Sequence, residues 1–197
     1  ASCLAATAVK EFIVKAGKEN PLKTIEAAVQ AANERVLAHA SLGTSREGMG
    51  TTLTVAWVLG SHAYVAHVGD SRAYLIREGS IVRITSDHSL VQEMVEYGGL
   101  SELEARTHPK RNILTRAIGT GSPAVVDVNT VLLKNNDWLL LCTDGLNGIL
   151  GDNEILSLVE SSRSAAEASE RLVKTAAEKG GHDNITAVVA IADSLGF

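Results

Sequence analysis

The chain has only two cysteines in 197 residues, Cys3 and Cys142, with no CxxC pair and no Cys/His cluster. That excludes a disulfide framework and a thiolate zinc site, and it reads as two buried thiols in a reducing compartment. No stretch approaches the roughly 18 consecutive apolar residues of a membrane span. Basic residues are outnumbered, 18 Lys and Arg against 23 Asp and Glu, and form no stripe. A net charge of −5 argues against nucleic acid as a partner. Ala1-Ser2-Cys3-Leu4-Ala5-Ala6 lacks the charged start of a signal peptide. These absences lead us to expect a cytoplasmic protein without a membrane span.

Several catalytic patterns are also missing. The histidines show neither HxH nor HExxH spacing. Gly48-Met49-Gly50-Thr51-Thr52 is followed by no Lys and by a strand, so it meets neither the P-loop nor the dinucleotide pattern. There is no Gly-x-Ser-x-Gly to anchor Ser/His/Asp catalysis.

What is present is an ordinary globular composition, 45% hydrophobic, with the length of one domain spanning residues 1–197. Leu4, Ala5, Ala8, Val9, Phe12, Ile13 and Ala16 share one helical face. Asn20-Pro21 caps a second helix that continues through Val36 to Leu42-Gly43. From Gly50 the period changes to that of strands, at Thr52–Leu59, His62–Val68, Arg72–Ile76 and Ser80–Thr85. Their short links predict an antiparallel meander. Ser89–Tyr97 is helical, Ser101 and Glu104 form a capping-box pattern, and Thr107–Ser122 is irregular and expected to be less rigid. Strands at Val125–Leu133, Trp138–Cys142 and Ile185–Ile191 enclose helices at Asp152–Glu160 and Ala165–Glu178. This order is that of an α+β fold with mainly antiparallel sheets.

Three aspartates stand in short, Gly-flanked motifs beside buried strands: Asp70 in Gly69-Asp70-Ser71-Arg72, Asp144 in Thr143-Asp144-Gly145, and Asp183 in Gly181-His182-Asp183-Asn184. Each motif alone is a common turn. Carboxylates at strand ends are costly unless a cation or hydrogen bonds compensate them, so three together suggest an oxygen-ligand metal site. In an acidic protein such a site would also reverse the local field for an anionic substrate.

Taken in order, Met49-Gly50-Thr51-Thr52-Leu53, Val68-Gly69-Asp70-Ser71-Arg72-Ala73-Tyr74, Thr85-Ser86-Asp87-His88-Ser89-Leu90-Val91, His108-Pro109-Lys110-Arg111-Asn112, Leu140-Leu141-Cys142-Thr143-Asp144-Gly145-Leu146 and Gly181-His182-Asp183-Asn184-Ile185-Thr186 resemble the metal-dependent Ser/Thr protein phosphatases of type 2C. The likeness is nearest to bacterial members that oppose eukaryotic-like Ser/Thr kinases. The resemblance implies two antiparallel sheets between antiparallel helix pairs. It also implies two, and up to three, Mn²⁺ or Mg²⁺ ions with a bound water or hydroxide as nucleophile, and phosphoproteins as substrates. It assigns Asp144 and Asp183 to the first metal and Asp70 to a weaker third, and makes all three the catalytic residues. It puts His108, Lys110, Arg111 and Asn112 in a flap that selects substrates; by charge, Lys110, Arg111 and Arg116 of Thr107–Ser122 suit an anionic phosphopeptide.

The family's N-terminal strands, its phosphate-gripping Arg and its Asp-Gly-Met-Gly-Gly turn have no counterpart before Ala1. The 197-residue chain is therefore expected to have little activity, and its open sheet edge to favour pairing with a second copy. Alternatives are an inactive phosphatase-like binding module, or a sporulation- or stress-type phosphatase acting on an anti-sigma-factor antagonist.

Overall fold

The computed structural model describes residues 1–41, 48–121, 123–181 and 183–193. Its packing divides the chain into two compact units that interleave along the sequence. The first comprises Ala1–Trp57, Tyr64–Asp70 and Asp87–Thr130. The second takes Val58–Ala63, Ser71–Ser86 and everything from Val131 onward.

In the first unit, α1 (Ser2–Lys15) and α2 (Pro21–Ala40) form a helical pair. Asn20 caps α2 by accepting the Lys23 N–H at 3.2 Å, with Pro21 at the first helical position as the sequence predicts. Leu42-Gly43, the expected end of that helix, lies outside the described residues. Ala5, Ala8 and Val9 of α1 and Ile25, Ala28, Val29, Ala32 and Val36 of α2 form one buried cluster with Ala66, Val68 and Ile118. The predicted apolar faces are therefore the observed ones. Cys3 departs from expectation. It points away from that face and is exposed, whereas Cys142 is buried.

Strands β1 (Leu53–Leu59), β2 (His62–Val68) and β5 (Asp127–Leu132) form a three-stranded sheet in the order β1-β2-β5. Strands β3 (Arg72–Arg77), β4 (Ser80–Arg83), β6 (Trp138–Cys142) and β7 (Ala187–Ile191) form a second sheet in the order β4-β3-β6-β7. The expected meander is thus overturned. Gly69-Asp70-Ser71 does not close a hairpin but carries the chain from one sheet to the other. Short links restrict which strands are neighbours in sequence, but β3 finds its longer apolar match in β6, pairing Tyr74 with Leu140 and Ile76 with Trp138.

β6 is paired on both sides, and Leu139, Leu140 and Cys142 are buried, as its unbroken apolar run predicts. Tyr74, Ile76, Leu140 and Cys142 pack with Ile155 and Val159 of α6 (Asp152–Glu160) and Ala168, Leu172 and Ala176 of α7 (Ala165–Glu178). Among the described residues no helix is long and apolar enough to cross a membrane.

One polar group anchors this second core. Asp137, 1% exposed, opens β6 and accepts hydrogen bonds from Arg77 Nε at 2.7 Å and from the Lys134 N–H at 2.6 Å. Burial pushes its carboxyl up, but the paired Arg77 guanidinium and the Lys134 N–H outweigh burial and hold it below the ordinary value of 3.8. A depressed folded pKa contributes stability that is complete above the unfolded value and is lost as pH falls through the folded one. Arg77 is 27% exposed and can reach water when orphaned, so Asp137→Ala should cost about 2 kcal/mol rather than the roughly 3–5 of a fully buried pair. In urea unfolding, the loss of stability below about pH 4 should be smaller in Asp137→Asn than in the wild type. Wild-type stability in Asp137→Ala would refute this anchoring role.

Candidate metal centre

Register brings the candidate residues of the second unit to one sheet edge. Arg72 at the start of β3 pairs with Cys142 at the end of β6, and Cys142 with Ala187 at the start of β7. The segments just beyond that row carry Asp144 and Asp183. Beyond Cys142 the pairing continues without a strand, as the Thr143 N–H donates to Thr186 O at 3.1 Å. The Thr143 hydroxyl donates to Asn184 O at 3.1 Å and accepts the Thr186 N–H at 3.0 Å. Asp144 begins a one-turn helix, α5 (Asp144–Asn147), where the sequence predicts only an Asp-Gly turn. Its Oδ1 accepts the Gly145 N–H at 2.9 Å, and Asp183 Oδ1 accepts the Asn184 N–H at 2.7 Å. Asp144 is half-buried and Asp183 exposed. His182, within the same motif, lies outside the described residues.

Asp70 belongs to the first unit. The turn before it is held by a residue to which the sequence reading gave no role. Gly69 donates its N–H to His88 Nδ1 at 3.1 Å, and its carbonyl accepts the His88 N–H at 2.7 Å. Accepting at Nδ1 leaves Nε2 to carry the ring hydrogen, and Nε2 faces Asp127 Oδ2 at 3.1 Å. Arg116 donates to the other oxygen of Asp127 at 2.8 Å. Burial acts to raise the Asp127 pKa, but His88 and Arg116 outweigh it and hold the carboxyl below its usual range. His88 also lies against the buried His67 ring, centroids 4.8 Å apart, and His67 Nδ1 is 2.9 Å from Thr54 Oγ1. Asp87-His88-Ser89 in a turn before a helix was the available signal for His88. Asp127 gave none, since it opens an ordinary strand.

His108, Lys110, Arg111 and Asn112 form a compact turn after two short helices, α3 (Leu90–Glu96) and α4 (Glu102–Thr107). Ser101 and Glu104 make the predicted capping box at the start of α4. His108 Nδ1 accepts the Lys110 N–H, and His108 O accepts the Arg111 N–H, both at 3.1 Å. Lys110, Arg111 and Asn112 are exposed and His108 is half-buried. The segment after them, irregular as the sequence predicts, is tied to the rest of its unit at several points. Leu114 bridges Ser89 and Ile118 bridges Thr51. Asn33, fully buried, accepts the Gly119 N–H at 2.8 Å and donates to Gly121 O at 2.7 Å. Ser122 lies outside the described residues. Arg116, by its charge suited to an anionic substrate, donates to Asp127.

The donor set at the Asp144 and Asp183 edge is hard carboxylate oxygen, which suits Mg²⁺ or Mn²⁺. Among the described residues no group of three or more His, Cys, Asp or Glu is placed to hold a metal. Two carboxylates nevertheless fit an ion that keeps most of its waters and takes further oxygens from phosphate. A cavity of about 190 Å³ lined by Val58, Leu133, Leu139, Ala190 and Ile191 lies at the other end of β6 and β7, so it is no part of this edge.

The family model described as protein phosphatase 2C matches residues 5–185. Serine/threonine phosphatase stp of Listeria welshimeri is 37% identical over 161 residues, covering 82% of this chain and 64% of that protein. The chain thus spans about 64% of the length of the first curated relatives it matches. The crystal structure of the Mycobacterium tuberculosis serine/threonine phosphatase PstP/Ppp aligns with a TM-score of 0.91 at 35% identity, over 98% of this chain and 81% of that one. The catalytic domain of the phosphatase PstP in complex with two manganese ions aligns with a TM-score of 0.89 at 33% identity, over 98% of this chain and 80% of that one.

Gly69 is a position where this geometry is demanding. Its φ is +116°, and an added Cβ would lie 2.4 Å from Thr52 Cγ2. Gly69→Ala should therefore destabilise by roughly 2–3 kcal/mol. Gly17→Ala, with nothing within 4 Å, should stay within about 0.5 kcal/mol of wild type. Equal thermal midpoints for the two variants would contradict the close approach.

Proposed function

The chain belongs to the protein phosphatase 2C family, and from that premise we propose that it forms part of a Mn²⁺- or Mg²⁺-dependent phosphatase acting on phosphoserine and phosphothreonine in proteins. The observation that carries this reading is the joined edge at β6 and β7, where the Asp144 and Asp183 segments are tied through Thr143, Asn184 and Thr186. The names of the relatives support the substrate class, and an opposing Ser/Thr kinase is the proposed counterpart.

Asp144 and Asp183 are the proposed ligands of the first ion, and the family pattern adds Asp70 for a further one. When bound, such ions lower the pKa of water and neutralise phosphoryl oxygens. The chain's own contribution is positional. The carboxylates are set on short turns at the end of a rigid sheet, where they resist displacement better than on a long loop. Exposed Lys110 and Arg111 offer cations to an anionic peptide. The incomplete ligand set among the described residues favours one second reading, a phosphatase-like module that binds without hydrolysis.

Hydrolysis of a phosphothreonine peptide by the natural protein separates the two. Turnover should require Mn²⁺ or Mg²⁺ and vanish with chelator. Asp144→Asn and Asp183→Asn should each lower kcat/KM by about a hundredfold or more, since each removes a ligand. Wild-type turnover in either variant would refute the assigned roles. Peptide binding without turnover would establish the module instead.

A further inference from the structure

The Thr143-Asp144-Gly145 motif has two residues besides its carboxylate, and both face the Asp183 segment. Thr143 occupies the N-cap of α5, where a threonine hydroxyl ordinarily accepts an N–H of the first helical turn. It makes no such cap here. The hydroxyl is turned to the neighbouring segment, donating to Asn184 O at 3.1 Å and accepting from the Thr186 N–H at 3.0 Å. The backbone N–H of the same residue reaches Thr186 O at 3.1 Å. Three hydrogen bonds from one residue therefore bridge the turn before Asp144 to the segment after Asp183.

Gly145 supplies the second contact. A Cβ there would lie 2.6 Å from Asn184 O and 3.1 Å from Asn184 C, both backbone atoms that cannot rotate away. Only a residue without a side chain lets the two segments come this close. One neighbour of Asp144 binds the Asp183 segment, and the other leaves the space for it.

We infer that Thr143 and Gly145 are positioning residues that form a two-point clamp fixing the spacing between the Asp144 and Asp183 carboxylates. This rests on the reading of those aspartates as ligands of one divalent cation. Asn184 and Thr186 are exposed, so water can replace the hydroxyl's bonds with small loss of overall stability. Water does not hold the two segments at a fixed distance. The clamp is therefore visible in metal affinity rather than in global unfolding.

The test titrates Mn²⁺ into the natural protein and into Thr143→Val, Thr143→Ser, Gly145→Ala and Asp183→Asn, and follows amide exchange at Thr186. Thr143→Val keeps the shape and removes the hydroxyl. It should weaken Mn²⁺ binding about tenfold or more, as loss of a ligand's supporting partner does, and should speed exchange of the Thr186 amide. Thr143→Ser should restore affinity to within about twofold of wild type, because its hydroxyl can make both bonds. Gly145→Ala should weaken binding in the same direction. If Asp183→Asn loses Mn²⁺ while Thr143→Val binds it as wild type does, the clamp is overturned and the ligand assignment stands. Unchanged Thr186 exchange in Thr143→Val also overturns it. If Asp183→Asn binds Mn²⁺ like wild type, or wild type binds none, the ligand assignment falls and the clamp falls with it.

Discussion

The register of β6 is the constraint from which the candidate centre follows. Its side chains alternate between faces, so a slip of one residue would exchange Leu140 and Cys142 with their neighbours and turn them out of the buried cluster they share with α6 and α7. Burial of that apolar face therefore fixes which residue of β3 and of β7 lies opposite each residue of β6. Once Arg72, Cys142 and Ala187 share a row, the segments that follow have little freedom. Hydrophobic packing along β6 thus sets where the carboxylates emerge.

The three aspartates of the motifs are supported by different means. Around Asp144 and Asp183 the support is mutual, one segment hydrogen-bonded to the other. Before Asp70 it comes from His88, whose imidazole accepts the Gly69 N–H, whose backbone N–H donates to the Gly69 carbonyl, and whose ring is steadied by Asp127. A glycine occurs in each arrangement because a backbone or a methyl group passes where a Cβ would be. The glycines flanking the acids are thus explained by close approach.

Periodicity and capping made the helices and most strands legible. The Ala-rich faces of α1 and α2, the capping box at Ser101 and the unbroken run at Trp138–Cys142 each follow from local chemistry. Partner choice between strands was not legible. The link Gly69-Asp70-Ser71 has the composition of a hairpin turn, and only the competition between β2 and β6 for β3 decides otherwise. The positions of Asp144 and Asp183 were foreseeable from strand ends, whereas the His88–Asp127 pair joins residues 39 apart with no shared local pattern. The commitment of Arg116 to Asp127 was hidden for the same reason.

The interleaving of the two units bears on how such a chain is made. Each unit is assembled from three separate stretches, the first drawing its last piece from Asp87–Thr130. During synthesis, α1 and α2 emerge long before Ile118, which closes their cluster, so the early chain exposes an apolar helical face while it waits. Two of the four strands in the second sheet, β3 and β4, precede Asp87–Thr130, and the other two, β6 and β7, arrive only after Val131. Neither core can be cut out as one continuous peptide. Folding must therefore be governed by contacts between distant stretches, which is slow compared with the folding of local helical hairpins.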